Sequence, residues 1–337
     1  MSKKILITGA NGFIGSNLVK VALSKKFRVS VLVRKNSNLD NLKKFEKKIN
    51  IHYGDVTKID TLYEPISDSE VIFHVAADYR LWSKKYSEIY ETNVFGTENI
   101  LNVVTKFKKK LIYTSSVATL GLKSNIISNE DTPVKFDEIT GHYKKSKYLA
   151  EKIVLKFVKK KNLDAIIVNP STPIGPGDIK PTPTGKIILD VLRKKMPAFV
   201  ETGLNFVHVE DVAIGHLLAL KHGIKGEKYL LGGENLEFKE FIDLISDYGE
   251  VPKVKMKLKS SYLYFFAYVN EFLSKYIFQS NPNLTVDGLK MSEKKMFFSS
   301  EKAKKKLHYR PRPVKDAIKD SIDWMKVNFD TSGRFIK

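Results

Sequence analysis

Short, continuous runs of apolar residues recur along the first half of the chain, and polar or glycine-containing segments follow them. The first run, Ile5 to Ile7, leads through glycines into an apolar-periodic stretch from Phe13 to Leu23, which predicts a helix. Strands that are apolar on both faces are typical of a covered parallel sheet. Helical patterns at 90–107 and 143–160 separate later runs, so we expect an α/β fold with a doubly wound parallel sheet. The predicted strands lie at 3–10, 28–34, 49–56, 70–77, 109–118 and 163–171.

The pattern changes after residue 170. Residues 169–185 are dense in proline and glycine, which indicates a loop, and shorter elements follow it. We therefore predict a sheet domain at 1–170 and a smaller C-terminal substrate-binding lobe at 171–330. Segments around 205–232 are expected to return to the first domain.

Composition narrows the functional classes. The chain has 337 residues and no cysteine, which excludes disulfides and catalytic thiols. Its net charge is +21, but only seven of its 58 basic residues are arginine, and the lysines are scattered in short runs. With no nucleic-acid-binding motif in view, we interpret the excess as a solvated surface and expect no specific nucleic-acid partner. The N-terminus shows no signal peptide, so we expect a cytoplasmic protein.

A glycine-rich turn lies between the first predicted strand and the first helix. Gly9, Gly12 and Gly15 are spaced so that the turn is tight, the backbone can approach a pyrophosphate, and the helix packs closely on the strand. The helix N-terminus would face the anion. We therefore predict a dinucleotide-binding turn formed by Gly9, Asn11, Gly12, Phe13, Ile14 and Gly15.

The end of the second strand bears on the choice of dinucleotide. NAD sites usually have an acidic residue there, whereas this strand ends in Arg34 and Lys35. A guanidinium can pair with a 2′-phosphate, so we favour NADP over NAD. Asp55 and Val56, after the third strand, are expected to border the adenine. Ala76 and Ala77 end the fourth strand, where small side chains would let the cofactor lie close.

A tyrosine and a lysine lie four residues apart on the helix after the fifth strand. Tyr143 and Lys147 would share a helix face, and the preceding strand ends near Ser116. An ammonium and a cationic nicotinamide would both lower the pKa of the phenol. Tyr143 could then move a proton as general acid or base, Ser116 could hold the substrate oxygen, and Lys147 could bind the nicotinamide ribose.

These residues resemble a known family. The segments TGANGFIG, GDVT, HVAA, NVFGTENIL, YTSSVA, YKKSK, NPSTPIGPGD and FVHVEDVA are similar, in order, to those of the extended short-chain dehydrogenase/reductases, the NAD-dependent epimerase/dehydratase superfamily with its Rossmann fold. The resemblance spans about two thirds of the chain. It implies catalytic roles for Ser116, Tyr143 and Lys147, places Asn93, Thr114 and Ser115 near the nicotinamide, and implies that Pro170 contacts the cofactor.

A closer resemblance is to hopanoid-associated sugar epimerases, which are similar to dihydroflavonol 4-reductases. It rests on HVAADYRLW, NPSTPIGPGDIKPTPTG, LLGGEN and KKMFFSS. The resemblance implies hydride transfer at a sugar or a related carbonyl or hydroxyl carbon, by an epimerase or a ketone or aldehyde reductase. A non-catalytic NADP-binding regulatory protein is the alternative of another class. The family often pairs through helices of the sheet domain, so a homodimer is also an expectation.

The substrate is expected between the two lobes. Asp78, Tyr79, Arg80 and Thr172 are the candidate contacts, and Arg80 could equally bind a substrate anion or brace its loop. His208 is interpreted as a packing residue rather than an acid or base, and we assign no metal site. The aromatic stretch 260–278 predicts either a packed helix of the small lobe or a helix that touches a membrane surface.

Overall fold

The computed structural model describes residues 3–122, 126–276 and 285–336. Twelve strands and twelve α-helices are assigned within these residues. The strands are β1 Lys4–Thr8, β2 Arg28–Val33, β3 Ile49–Tyr53, β4 Val71–His74, β5 Lys110–Thr114, β6 Ala165–Pro170, β7 Thr172–Ile174, β8 Ala198–Val200, β9 Gly203–His208, β10 Lys228–Leu231, β11 Glu234–Glu237 and β12 Met256–Leu258. The helices are α1 Phe13–Ser24, α2 Tyr63–Ser67, α3 Ser87–Tyr90, α4 Gly96–Lys106, α5 His142–Lys161, α6 Pro183–Leu192, α7 Val209–His222, α8 Phe238–Gly249, α9 Ser260–Tyr276, α10 Val286–Ser292, α11 Glu301–Leu307 and α12 Val314–Asn328.

A seven-stranded parallel sheet is the centre of the larger lobe. Its strand order is β10-β6-β5-β4-β1-β2-β3, so the order reverses between β1 and β4. Open α/β sheets bind ligands outside the carboxyl ends of their strands at such a reversal. The predicted doubly wound sheet is therefore confirmed, and all six predicted strands are present within it.

Helices cover both faces of this sheet. Side chains of α1 and α7 pack with β1, β2 and β4 in one buried apolar cluster, and side chains of α4 and α5 pack in a second cluster on the other face. The continuous apolar runs follow from this burial, because neither face of the strands meets water. The expected helix at 90–107 begins earlier, at Ser87, and is interrupted by a π-helical turn over Glu91–Phe95.

The smaller lobe has its own apolar core. Side chains of α6, α8 and α12 pack there against a three-stranded sheet of order β11-β9-β7. We expected segments around 205–232 to return to the first domain. Two of them do, because β10 joins the large sheet and α7 covers it. The third, β9, belongs to the small sheet instead. The domain boundary at residue 170 stays a prediction. The expected helix at 260–278 corresponds to α9, and its last two positions lie outside the described residues.

Candidate active site

The glycine turn joins the end of β1 to the start of α1. Gly9 has φ +67°, and a Cβ there would lie 2.6 Å from the Cα of Ala76. A Cβ on Gly15 would lie 2.1 Å from the carbonyl oxygen of Gly9, so helix and turn are in direct backbone contact. A Cβ on Gly12 would meet only the Gly9 oxygen, at 3.2 Å, which leaves space beside the helix N-terminus. This cradle fits a dinucleotide pyrophosphate.

Neighbouring loops fix the turn. The side-chain amide of Asn11 donates to the carbonyl of Asn38 at 3.0 Å, and that of Asn41 donates to the carbonyl of Asn11 at 3.3 Å. Gly12 is the N-cap of α1 and provides no side-chain cap, and the first turn of the helix, which starts with Phe13 and Ile14, carries no acidic residue. The positive end of the helix dipole is therefore not neutralised by a side chain of that turn.

Arg34 and Lys35, which are predicted to favour NADP over NAD, lie at the same edge of the sheet as the glycine turn. Leu32 pairs with Thr8 in the β1–β2 register, so Arg34 follows two residues later, beside the glycine turn. Arg34 and Lys35 are both exposed. Among the described residues, no ion pair of Arg34 is observed. Its guanidinium is thus available to an external anion.

Asp55 and Val56, which follow β3, are both held by contacts within the protein. The carboxylate of Asp55 accepts hydrogen bonds from the amide and hydroxyl of Thr57, at 2.9 and 2.8 Å. Val56 is 7% exposed and packs in an apolar cluster, and its carbonyl accepts a hydrogen bond from Asn99. A role for either residue beside the adenine stays a prediction.

A buried polar chain runs beneath the end of β4. The hydroxyl of Thr8 hydrogen-bonds the backbone amide of Ala76 at 3.2 Å and Nδ1 of His74 at 2.8 Å. The other imidazole nitrogen lies 3.1 Å from the hydroxyl of Thr97. Burial lowers the pKa of His74 to about 3, so this histidine is neutral near pH 7. This series of hydrogen bonds holds Ala76 against Gly9. Ala77 follows Ala76 in the sequence and is half-buried.

Tyr143 and Ser116 come together at the start of α5. Gly141, with φ +86°, is the N-cap of this helix, so Tyr143 lies in its first turn. The Ser116 hydroxyl lies close enough to the Tyr143 phenol to act on its pKa, which it lowers against the larger effect of burial. The Ser116 oxygen also accepts the amide of Ala118 at 3.1 Å, which caps the short turn after β5. The sequence placed these two groups together, and the structure does so too.

Lys147 lies one helical turn further along and is 2% exposed. Its ammonium donates to the carbonyl of Thr114 at 2.7 Å and to the hydroxyl of Tyr113 at 3.1 Å. An ammonium has three donor hydrogens, so one remains for another acceptor. Burial lowers the pKa of Lys147 to about 7, against the opposing effect of the Glu151 carboxylate.

The expected effect of Lys147 on Tyr143 was wrong for the protein's own groups. Burial raises the pKa of Tyr143 above its ordinary value, and the Ser116 hydroxyl offsets this only in part. The Lys147 ammonium is directed at Thr114 and Tyr113 instead. Desolvation therefore outweighs the charge effect that the four-residue spacing suggested.

The side chains of two residues implied by the resemblance, Thr114 and Ser115, are hydrogen-bonded within the protein. The hydroxyl of Thr114 faces His216, 2.8 Å from its Nε2, and Ser115 donates to the carboxylate of Glu151. Only the backbone carbonyl of Thr114 meets Lys147, so its side chain does not turn toward the site. Pro170 is buried within β6. Its cofactor contact stays a prediction.

Asn93 lies in the π-helical turn and ties that turn to the site. Its side-chain amide donates to the carbonyl of Asp78 and to the hydroxyl of Ser146, both at 2.9 Å. The backbone amide of Asp78 donates to the side-chain oxygen Oδ1 of Asn93 at 2.7 Å. Asn93 thus links the loop after β4 to the helix that carries Tyr143. The extra residue of a π-turn is frequent at functional sites.

Glu151 was missed in the sequence, although it lies on the same helix face as Tyr143 and Lys147. It is 5% exposed, and one carboxylate oxygen accepts hydrogen bonds from Ser115, Thr119 at 2.8 Å and Asn169 at 2.9 Å. These donors surround the turn that presents Ser116. The spacing of four and eight residues from Lys147 and Tyr143 was the available signal.

Three of the four candidate substrate residues, Asp78, Tyr79 and Arg80, lie in the loop after β4. Arg80 donates to the carboxylates of Asp78, at 2.5–3.0 Å, and Glu88, at 2.9 Å. Of the two interpretations of Arg80, the geometry favours the brace. Tyr79 is 41% exposed, and burial of its hydroxyl with nearby carboxylates raises its pKa to about 12. Thr172 is half-buried in β7.

Aromatic rings line the same loop. His142, directly before Tyr143, stacks on Tyr86 with ring centroids 3.9 Å apart, and its Nδ1 lies 3.1 Å from the hydroxyl of Tyr90. His208 is different. It caps α7 by accepting the amide of Glu210 and lies 3.1 Å from Asp320, which agrees with a packing role.

A glycine cradle at a sheet reversal, with Ser, Tyr and Lys grouped beyond β5, defines a nicotinamide-dinucleotide-dependent enzyme of the extended short-chain dehydrogenase/reductase type. The chain belongs to the NAD dependent epimerase/dehydratase family, whose model matches residues 5–232. The resemblance seen in the sequence is thereby confirmed.

Relatives span nearly the whole chain. A Synechocystis sp. protein with a provisional dihydroflavonol 4-reductase name is 39% identical, covering 97% of this chain and 95% of its own. Sterol demethylase protein B of Methylococcus capsulatus is 26% identical, covering 95% and 98%. A crystal structure of a protein called gox2253 is 46% identical, with a TM-score of 0.87, covering 99% and 100%.

Proposed function

We propose that the protein is an NADP-dependent oxidoreductase or epimerase that transfers a hydride at a sugar or related carbonyl or hydroxyl carbon. One observation carries the proposal. The Tyr143 phenol lies beside the Ser116 hydroxyl and one helical turn from the buried Lys147, at the carboxyl edge of the sheet, where the glycine cradle also lies. When bound, the dinucleotide supplies the hydride or accepts it.

The protein's own groups have separate tasks in this proposal. Tyr143 Oη gives a proton to the substrate oxygen during reduction and takes one during oxidation. Ser116 Oγ holds that oxygen. The third donor of the Lys147 ammonium binds a ribose hydroxyl, while Thr114 and Tyr113 fix the other two. Because Tyr143 has a raised pKa, it is a protonated donor at neutral pH, which suits reduction.

The preference for NADP rests on the exposed Arg34 after β2. A guanidinium there can form a bidentate pair with a 2′-phosphate, and a carboxylate would repel it. We expect Arg34→Asp to weaken NADPH binding by about 10- to 100-fold, in the range of 1.4–3 kcal/mol for a charge-assisted hydrogen bond, and to weaken NADH binding little. Titration calorimetry with both dinucleotides measures this.

The matched control for Arg34 is Arg28→Asp at the exposed start of β2, on the opposite edge of the sheet. It removes the same charge far from the cradle. Equal loss of NADPH affinity in both variants would refute the assignment of Arg34. Tighter binding of NADH than NADPH by the unaltered protein would make NAD the cofactor.

The catalytic part is tested with Tyr143→Phe. We expect activity to fall by about 10²- to 10⁴-fold while NADPH affinity is unchanged, because only the proton donor is removed. Tyr148→Phe, on the same helix and near Phe136, is the matched control. A panel of nucleotide sugars, ketones and aldehydes is followed by NADPH absorbance and by product analysis. Unchanged activity in Tyr143→Phe would favour the non-catalytic, NADP-binding regulatory alternative.

A ketone or aldehyde reductase is the second candidate, and the provisional reductase name of the 39% identical relative favours it. Reduction and epimerisation use the same three groups, but epimerisation returns the hydride to the opposite face of the substrate carbon. Net consumption of NADPH identifies a reductase. Isomerisation with no net change in NADPH identifies an epimerase.

A further inference from the structure

The outward face of helix α9 is apolar where the structure describes its side chains. Four large apolar residues there are exposed: Phe265 by 71%, Phe266 by 59%, Tyr268 by 59% and Val269 by 39%. At about 100° per residue these side chains span an arc of about 160°. Water-exposed helices normally show the reverse arrangement, with polar residues outside. We name these four residues the α9 patch.

The opposite side of α9 explains why the patch cannot turn inward. Ala267 is fully buried and packs against Val286 and Leu289 of α10. Ser274, also on that side, is 5% exposed, and Asn270 beside it is half-buried. Leu263 and Tyr264, both half-buried, pack against the same cluster. The inward side of α9 is thus already occupied by these contacts, and the four patch residues lie on the other side of the helix.

Positive charge lies directly before the patch. Four exposed lysines alternate along β12 and its flanks, and the last of them precedes the first residue of α9. Alternation in an extended segment places them on one face. They are Lys253, Lys255, Lys257 and Lys259. Lys253 pairs with Asp247 at 3.0 Å and Lys257 with Glu201 at 2.7 Å, so Lys255 and Lys259 are the lysines tested below.

We propose that α9 docks the protein on an anionic lipid bilayer, with the patch inserted at the headgroup boundary and the lysines of 253–259 facing the lipid phosphates. Aromatic residues beside lysines are the composition of interfacial helices. A second copy of the chain is a poorer occupant, because self-association through the patch would bring two rows of lysines together. Among the described residues no helix has the length and composition of a membrane span, so the contact would be peripheral.

A cleft lies between the patch and the loop after β4. It has a volume of about 610 Å³ and is lined by Tyr268 and Val269 of the patch and by Trp82 and Tyr86 of the loop after β4. Tyr86 stacks on His142, the residue before Tyr143. Docking would place the mouth of this cleft at the bilayer surface. The docking proposal itself does not depend on which reaction occurs.

Co-sedimentation with phosphatidylcholine vesicles, with and without phosphatidylserine, tests the proposal. We expect binding that requires phosphatidylserine and weakens at high salt. Phe265→Ser combined with Phe266→Ser should weaken binding at least about tenfold, since two rings leave the boundary. The control is Ile224→Ser combined with Val327→Ser, two similarly exposed apolar residues elsewhere, and it should bind normally.

The contribution of the lysines to vesicle binding is tested with two double variants that change the same charge at different places. Lys255→Glu with Lys259→Glu should weaken vesicle binding by about 30-fold, and Lys47→Glu with Lys48→Glu, the same charge change at another exposed site, should change it little. NADPH binding checks that each variant is folded, independently of catalysis. Absence of vesicle binding, or equal binding by patch and control variants, overturns the proposal. So does a dimer in sedimentation velocity that disappears with the two Phe substitutions.

Discussion

Replacing the buried Lys147 should change how stability depends on pH. The unfolded chain binds this proton with a pKa of 10.5, whereas burial lowers the folded-state pKa to about 7. Between these values the unfolded chain holds the proton and the folded protein does not. Stability therefore rises with pH across this window, by about 1.4 kcal/mol per pH unit, and the full penalty of about 5 kcal/mol applies below pH 7.

Lys147→Met removes this proton and keeps an unbranched side chain of similar length. The difference in unfolding free energy between the unaltered protein and this variant should grow by about 2–3 kcal/mol from about pH 7.5 to about pH 9.5, in favour of lysine at the higher pH. Other titrating groups are common to both proteins and cancel in the difference. Urea unfolding of the cofactor-free protein at several pH values measures it.

Lys152→Met is the control, because Lys152 lies on the same helix but is exposed. Its difference from the unaltered protein should be flat with pH. A flat difference for Lys147→Met as well would show that Lys147 stays charged in the fold. The assignment of a desolvated ammonium to this site would then be wrong.

Three further variants test other contacts. Glu151→Ala removes the acceptor of the buried Ser115 hydroxyl and one of the acceptors of Thr119 and Asn169, so it should lower the free energy of unfolding by roughly 1–3 kcal/mol in urea titrations, against a smaller loss for Glu151→Gln; equal losses would contradict the network. Gly12→Ala should fold with an unchanged melting temperature but bind NADPH at least about tenfold more weakly, while Gly15→Ala, whose Cβ would overlap a carbonyl oxygen, should fail to fold stably. Burial lowers the pKa of His216 to about 4 from 6.5, so this group should lower stability by up to about 3 kcal/mol as pH drops through that window, and His216→Gln should remove this share of the slope while the share of His74 remains.

The sheet could be predicted from the sequence because its signal is local. Each buried parallel strand is an apolar run of a few residues, and its neighbours do not alter that pattern. The glycine cradle was predictable for a similar reason, since the strand, the turn and the helix are contiguous. The assignment of β9 to a second sheet was not, because β9 and β10 have similar local patterns and differ only in their partners.

Charges in the candidate site were harder to predict. Arg80 looked available because arginines are rare in the chain, but its partners Asp78 and Glu88 lie two and eight residues away in a loop whose shape no pattern gives. The Tyr143–Lys147 spacing correctly predicted that the two residues lie one turn apart on α5. It wrongly predicted that the lysine lowers the pKa of Tyr143. Spacing on a helix fixes distance, whereas a pKa depends on burial by distant segments.

The inner face of α5 carries three polar residues of the candidate site. A helix that covers a sheet normally turns apolar residues inward, yet here Tyr143, Lys147 and Glu151 follow one another at four-residue intervals on that side. Each polar group needs a partner from the sheet edge: Ser116 for the phenol, Thr114 for the ammonium, and Ser115 with its neighbours for the carboxylate. The hydroxyl-rich end of β5 and the polar face of α5 are therefore joined through these polar contacts. A change at either side leaves buried polar groups unpaired, so substitutions here should lower stability as well as the proposed proton transfer.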